Sequence, residues 1–319
     1  MSPAKDEIEC SLIAQPDVAA GIINAIYADG VELVRPEDLQ GAPLRSPYES
    51  TSGRLRGMTR DVAKFCVRNE FCECMFAFEI QSAVDPNMPA RVLAYNGVAY
   101  RDQIANKTLS VRLGIGVDRI APVFEAVLYF GDRPWENFRK LSERATMSEE
   151  FTKVLAPHFA DFELRIVDFA GMPDEELKKF PNDIRAIAEY FRFKRSGGEY
   201  QLPPTPFVHT RELFYFMRYV VDDPRFAYDV VMQGYDKEPR NMCEVLDRIE
   251  LRGEARGEAR GEARGEARGE ARGRLAERRE TIALFIKKGW TIQAIANFYD
   301  VDVADVKIWL NESGEESTN

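Results

Sequence analysis

Histidine is nearly missing from this chain: among 319 residues there are two, His158 and His209. They lie far apart, and neither has a serine or cysteine partner in a recognisable motif. Histidine-led nucleophilic catalysis is therefore excluded as a first reading. Cysteine is also scarce, five in all, an odd number without framework spacing. That excludes a disulfide-stapled fold and fits a reducing cytosol, so a cytoplasmic protein is expected. Cys72 and Cys74 form a C-x-C pair expected on one strand face. With no second Cys/His pair nearby, core packing is the better reading than zinc. No run of about 18 apolar residues occurs, so no membrane span is expected. The opening MSPAKDEIEC is polar and acidic, and no secretory leader is expected from it. Positive charge is in deficit, 43 Lys and Arg against 53 Asp and Glu, for a net charge of −10. A surface that grips nucleic acid everywhere is thereby excluded. A local basic groove is not, because fields act over about 10 Å. A phosphate-cradling loop is missing too: GIGVDR at 114–119 lacks the Lys-Ser/Thr that such a loop needs.

What is present reads as a mixed α/β domain. Residues 17–28, DVAAGIINAIYA, carry apolar side chains at helical spacing, with Asp29-Gly30 as a stop. VELV (31–34) reads as a short strand, Pro36-Glu37-Asp38 as a turn or brief helix, and 41–57 as a long loop rich in Gly, Pro, Ser and Arg. Residues 61–68 and 71–81 alternate as two strands about a hairpin turn at Asn69-Glu70. Met88, Val92, Tyr95 and Ala99 form a helical stripe. Residues 122–130 and 162–169 are further strand candidates, and 173–195 and 210–220 look helical.

Two carboxylates stand out. Glu79 and Gln81 close the apolar strand MFAFEIQS (75–82) and share a face, since a strand alternates with period two. In a hairpin about Asn69-Glu70, Asp61 pairs near position 78, and one residue of bulge or a shifted turn brings it beside Glu79. Two close carboxylates repel unless a divalent cation lies between them. Mg²⁺ suits such a site, being content with one or two carboxylates plus water and phosphate. It can activate a water and neutralise charge on a phosphodiester. Gln81 could orient that water or contact a phosphate oxygen. The alternative is a strand that simply emerges into solvent at Glu79, with Asp61 an ordinary acid at a loop end.

Asp61, then Glu79-x-Gln81 in FEIQS, then MPARVLAYNGVAY (88–100) resembles the Rpn family of recombination-promoting nucleases, also called YhgA-like or transposase-related proteins. NAIYADG (24–30), RPEDL (35–39), RDV (60–62), PVFEAVLYFG (122–131) with Trp135, and the charged repeat are collinear with that pattern. The resemblance implies a restriction-endonuclease-like PD-(D/E)xK fold, a mixed sheet flanked by helices. It also implies a magnesium-dependent DNA endonuclease, Mn²⁺ substituting, linked to recombination or mobile elements. Asp61 and Glu79 would hold the metal, and Gln81 would stand where the superfamily usually has lysine. Glutamine supplies neither charge nor a base. Lys64 has the wrong strand parity to replace it, while Arg91 is a candidate phosphate contact. Relatives often carry an acid three residues before the position of Asn24, a possible accessory residue; here that position is Gly21. A non-catalytic oligomeric binding protein that keeps the fold is the competing reading.

The resulting organisation is a nuclease-like core at 1–168, a helical extension at 169–250, a repeat at 251–274, a helix-turn-helix-like unit at 275–312 and a polar tail at 313–319. Within the repeat, GEAR occurs five times over 253–272. A period of four stacks Glu on Glu and Arg on Arg at i,i+4, which is unfavourable within one helix. The two columns lie about 200° apart, so a second chain can set its Arg column against the first chain's Glu column. A homo-oligomerising stem is expected, against the alternative of a solvated spacer. The C-terminal unit reads as Leu275–Lys288, a stop at Gly289, a helix capped by Thr291, and a helix from Asp302 to Trp309. Its third helix carries Asp305 and Glu312 against Lys307, poor chemistry for a phosphate-lined groove.

Overall fold

The computed structural model describes residues 10–49, 55–116 and 118–311. They fall into two compact units, Met1–Ile249 and Glu250–Asn319.

The first long helix, α1 (Pro16–Tyr27), begins with proline in its first turn and ends before Asp29 and Gly30, both in left-handed backbone. VELV is not a strand. Asn24 explains why: its carboxamide donates to the Val34 carbonyl (2.8 Å) and accepts from the N–H groups of Leu33 (3.0 Å) and Val34 (2.8 Å). The segment's backbone is thus satisfied by a side chain instead of a strand neighbour. The expected long loop is also corrected. Strand β1 (Leu39–Gly41) ends at its first residue, and the loop holds β2 (Arg45–Glu49) and the start of β3 (Leu55–Thr59), which form their own antiparallel ladder. A ladder is made of backbone groups, so it can form where composition suggests a loop.

Strands β4 (Val62–Arg68) and β5 (Phe71–Gln81) pair antiparallel through a two-residue turn. Asn69 (φ 49°) and Glu70 (φ 64°) both take left-handed backbone there, as a type I′ turn requires. The ladder shifts between Cys66 and Val67: Cys66 faces Cys74 but Val67 faces Cys72, leaving Glu73 as an extra residue in β5. This corrects the expectation for the C-x-C pair. Cys72 joins the cluster with Ala63 and Phe65, while Cys74 joins the cluster on the opposite face. Both are buried and free.

Helix α2 (Met88–Ala105) then crosses to β6 (Val123–Tyr129), parallel to β5, and β7 (Arg165–Asp168) lies parallel to β6. The mixed sheet has five strands in the order β1-β4-β5-β6-β7. One face, with Val62, Phe76, Phe78, Ile80, Leu128 and Phe130, packs on α1, α3 (Asn182–Arg195) and α4 (Thr210–Val221). Phe130 centres this core, 4.6 Å from the Phe169 ring and 5.2 Å from that of Phe216. Each such fully buried aromatic contributes about 2–3 kcal/mol. The helices after β7 therefore complete the core of the sheet itself. The other face lies under α2, through Ala63, Phe65 and Ala77 with Ala99, and through Val127 and Tyr129 with Met88 and Val92.

Helix α5 (Met242–Lys287) begins in the first unit and, from Glu250 onward in the second, carries the whole repeat as helix. The repeat provides no opposite charges at i+3 or i+4. Such a pair forms where the period breaks, Glu270 to Arg274 at 3.8 Å. Gly289 (φ 85°) stops the helix. Thr291 then caps α6 (Ile292–Tyr299) by accepting the Ala294 N–H at 3.2 Å, and α7 (Val303–Asn311) follows. Ile282, Ile295, Ala296 and Val306 form a small core. The Arg278 guanidinium lies 4.3 Å from the Trp309 ring centre, and Arg279 donates to the Trp309 carbonyl at 2.7 Å. Among the described residues no helix is long and apolar enough to cross a membrane.

Candidate functional site

The face of the sheet beneath α2 is apolar except at one place. Val62 stands opposite Phe78, so the same register carried one step back brings Asp61 opposite Glu79, on the same face. The Ile80 N–H donates to Asp61 Oδ2 at 2.7 Å, which ties that carboxylate to β5 at the level of Glu79. Glu79 is 1 % exposed, and its Oε1 has no hydrogen-bond partner. Its Oε2 lies 3.7 Å from Arg91 Nη2. Burial, then the Asp61 and Glu125 charges, push the Glu79 carboxyl up to about 9, against the pull of Arg91 and Arg60. A buried carboxylate with an unmet oxygen costs several kcal/mol as an anion, so without a cation it holds its proton at neutral pH.

Glu125 is a third acid, and sequence reasoning missed it. It lies in β6 opposite Ala77, two ladder pairs from Glu79 and on the same face. Its side chain is 1 % exposed and pairs with Arg60 Nη2 at 3.4 Å. Arg60 Nη2 also donates to Asn96 of α2 at 3.2 Å. Burial pushes Glu125 up to about 7, with Arg60 opposing and Asp61 adding to the rise. The signal existed: Glu125 is a lone acid inside the apolar run PVFEAVLYF, as Glu79 is in MFAFEIQS, and Arg60 adjoins Asp61.

The other expected residues divide. Gln81 follows Glu79 on the same strand face and is half-buried; its main-chain carbonyl accepts the Phe130 N–H at 2.8 Å. Arg91 does reach the cluster. Asp85 anchors its guanidinium at 2.6 Å, Tyr95 accepts from it at 3.3 Å, and the side chain stays 39 % exposed. Lys64 faces Phe76 in the ladder, on the opposite side of the sheet from Asp61. Asn24 is not brought to the acids: its carboxamide is committed to Leu33 and Val34, and α1 packs on the other face. Gly21 also belongs to that layer. A Cβ there would come within 2.4 Å of Pro181 Cγ, so an acid at this position would have to displace the start of α3.

The donor set fits a hard divalent cation. Among the described residues no group of three or more His, Cys, Asp or Glu has metal-holding geometry. Asp61 and Glu79 would be the protein's carboxylates for such an ion, with the remaining positions left to water and phosphate. The unpartnered Glu79 Oε1 is the atom such an ion would satisfy. Neither a protein-family model, nor a curated protein, nor a solved structure matches the chain.

Proposed function

We propose that this protein is a magnesium-dependent DNA endonuclease of the Rpn, PD-(D/E)xK type, hydrolysing phosphodiester bonds on the α2 face of its sheet. One observation carries the reading: Asp61 and Glu79 meet on one face, and Glu79 is buried with an oxygen that has no partner. Mg²⁺, or Mn²⁺ in its place, would supply charge neutralisation and an activated water. The chain's own residues do the rest. Asp61 is held in place by the Ile80 N–H, and Glu79 would hold the cation as the carboxylate. Arg91, anchored by Asp85 and with its side chain 39 % exposed, would supply the positive charge for a phosphate. Gln81 presents an uncharged donor and acceptor beside them.

Homo-oligomerisation through the repeat belongs to the same proposal. The Glu and Arg columns of α5 are complementary between two copies, and Trp290 and Phe298 in the same unit are 42 % and 59 % exposed. A second reading, a non-catalytic oligomeric binding protein, is favoured by the two guanidinium groups already in the cluster, Arg60 on Glu125 and Arg91 near Glu79. Incubating the purified protein with supercoiled plasmid and Mg²⁺ separates the two. Nicking is expected, and is expected to vanish in Asp61→Ala and Glu79→Gln. Nicking that persists in both variants, or a folded wild type that leaves plasmid intact, overturns the nuclease reading.

A further inference from the structure

Asp61, Glu79 and Glu125 share the α2 face, but they stand differently toward the cations the protein already holds there. Arg60 and Arg91 both lie over the ring of Tyr95, with their guanidinium carbons 5.6 Å and 5.9 Å from its centre. Arg91 is 39 % exposed, has its short ion pair with Asp85 at 2.6 Å, and lies 3.7 Å from Glu79. It can turn outward with Asp85 as its counter-ion and leave Glu79 to another cation. Arg60 has no such freedom. Its side chain is 5 % exposed, and its Nη2 donates to Asn96 Oδ1 at 3.2 Å and to Glu125 Oε2 at 3.4 Å. Its main-chain N–H is held by the Leu44 carbonyl at 2.9 Å. Driving this guanidinium off Glu125 would leave a buried cation without a counter-ion, which a protein interior tolerates poorly.

Glu125 Oε1 is buried without a hydrogen-bond partner, as Glu79 Oε1 is. On that mark alone both acids are open to a divalent ion. The resident charge separates them: the second oxygen of Glu125 already accepts from a buried guanidinium, while that of Glu79 faces an exposed one. Charge balance points the same way. With Asp61, Glu79 and Glu125 ionised, one divalent ion together with Arg60 neutralises all three, and Arg91 is balanced by Asp85. A second divalent ion would leave an excess of positive charge out of reach of water, where it is costly.

We propose that Arg60 is the resident counter-ion of Glu125 and restricts this site to a single divalent ion, held by Asp61 and Glu79, with Glu125 outside its ligand set. The proposal rests on the metal site of the nuclease reading and adds its stoichiometry and the residue that sets it. Arg60 is a positioning residue, acting through Glu125. Two-ion hydrolases clamp the attacking and the leaving oxygen with separate metals; a single-ion site leaves the second place to a side chain, and Arg91 is the exposed cation beside it.

The test counts Mn²⁺ bound by the full chain without DNA, from the loss of the free-ion electron paramagnetic resonance signal. Binding that survives in a triple variant, Asp61→Asn with Glu79→Gln and Glu125→Gln, is subtracted, which removes weak binding by the exposed glutamates of the repeat. Wild type should then hold one Mn²⁺ per chain. Arg60→Gln frees Glu125, and should bind a second ion or tighten the first by roughly tenfold. Arg60→Lys, which returns a positive charge to Glu125, should restore the wild-type count and affinity. The double variant Arg60→Gln/Glu125→Gln removes both charges of the pair and leaves none unmatched; it should hold one Mn²⁺ with affinity within about threefold of wild type, short of the loss that follows removal of a ligand. Thermal melts identify the folded variants, and the double variant decides if Arg60→Gln does not fold. Two ions on wild type, loss of the ion in the double variant, or a folded Arg60→Gln that binds as wild type does overturns the proposal. A wild type that binds no more Mn²⁺ than the triple variant overturns the metal site itself, a result distinct from the other three.

Discussion

Replacing Glu79 by glutamine keeps the shape of the side chain and removes a buried ionisation. In the folded protein Glu79 keeps its proton up to about 9, whereas in the unfolded chain it titrates near its ordinary value of 4.5. Between those limits the unfolded chain binds one proton fewer than the native one. Stability therefore falls as pH rises, by about 1.4 kcal/mol per pH unit. Glu125, pushed up to about 7, adds a similar slope only below that pH. Between pH 7 and 8 the slope belongs to Glu79. By pH 7.5 the accumulated penalty approaches about 4 kcal/mol, counting roughly three units of displaced titration. Urea denaturation in EDTA at pH 6, 7 and 8 reads it directly. Glu79→Gln should be the more stable protein at pH 8, with its slope above pH 7 largely gone. Adding Mg²⁺ should raise the stability of wild type at pH 8 and leave Glu79→Gln unmoved. A variant with the wild-type slope between pH 7 and 8, or one less stable than wild type at pH 8, would refute the picture of a buried carboxyl awaiting a cation.

Asn24→Ala removes three hydrogen bonds that hold residues 33–34 to α1, and a loss of about 2–3 kcal/mol is expected at about 1 kcal/mol for each bond. Urea denaturation and faster amide exchange at Leu33 and Val34 check it; an unchanged midpoint would remove Asn24 from its structural role. In the repeat, a Cβ added at Gly261 meets nothing within 4 Å. Gly261→Ala should therefore stabilise α5 by up to about 1 kcal/mol. Circular dichroism of the full chain through a thermal melt should show the helical signal persisting to higher temperature, and an earlier loss of signal would count against a continuous helix.

Much of the sheet could be read in advance because its signals are local. Alternation marks β4 and β5, the Asn69-Glu70 turn joins them, and the stripe from Met88 to Ala99 marks α2. Where residues answer to distant neighbours the reading fails. VELV has strand composition, but Asn24 takes its hydrogen bonds. Residues 41–57 have loop composition, yet β2 and β3 pair through backbone. The facing of Asp61 and Glu79 was half legible, since it required an irregularity whose position no local pattern reveals. Glu125 was legible only in retrospect. Its importance comes from β6 lying beside β5, and adjacency of parallel strands joined by a helix leaves no mark at short range in the chain.

The extra residue in β5 bears on how this hairpin can change length. Asp61 and Glu79 are separated by an even number of positions, whereas partners across a regular two-residue hairpin are separated by an odd number. Glu73 reconciles the two. Its deletion would restore an unbroken ladder and leave the two acids face to face. Loss of a single residue between Val62 and Cys66 would instead send Asp61 to the opposite side of the sheet, among the aromatic side chains around Phe130. Hairpins usually accept insertions and deletions freely; this one is expected to accept the loss of one residue at Glu73 and to reject it along β4.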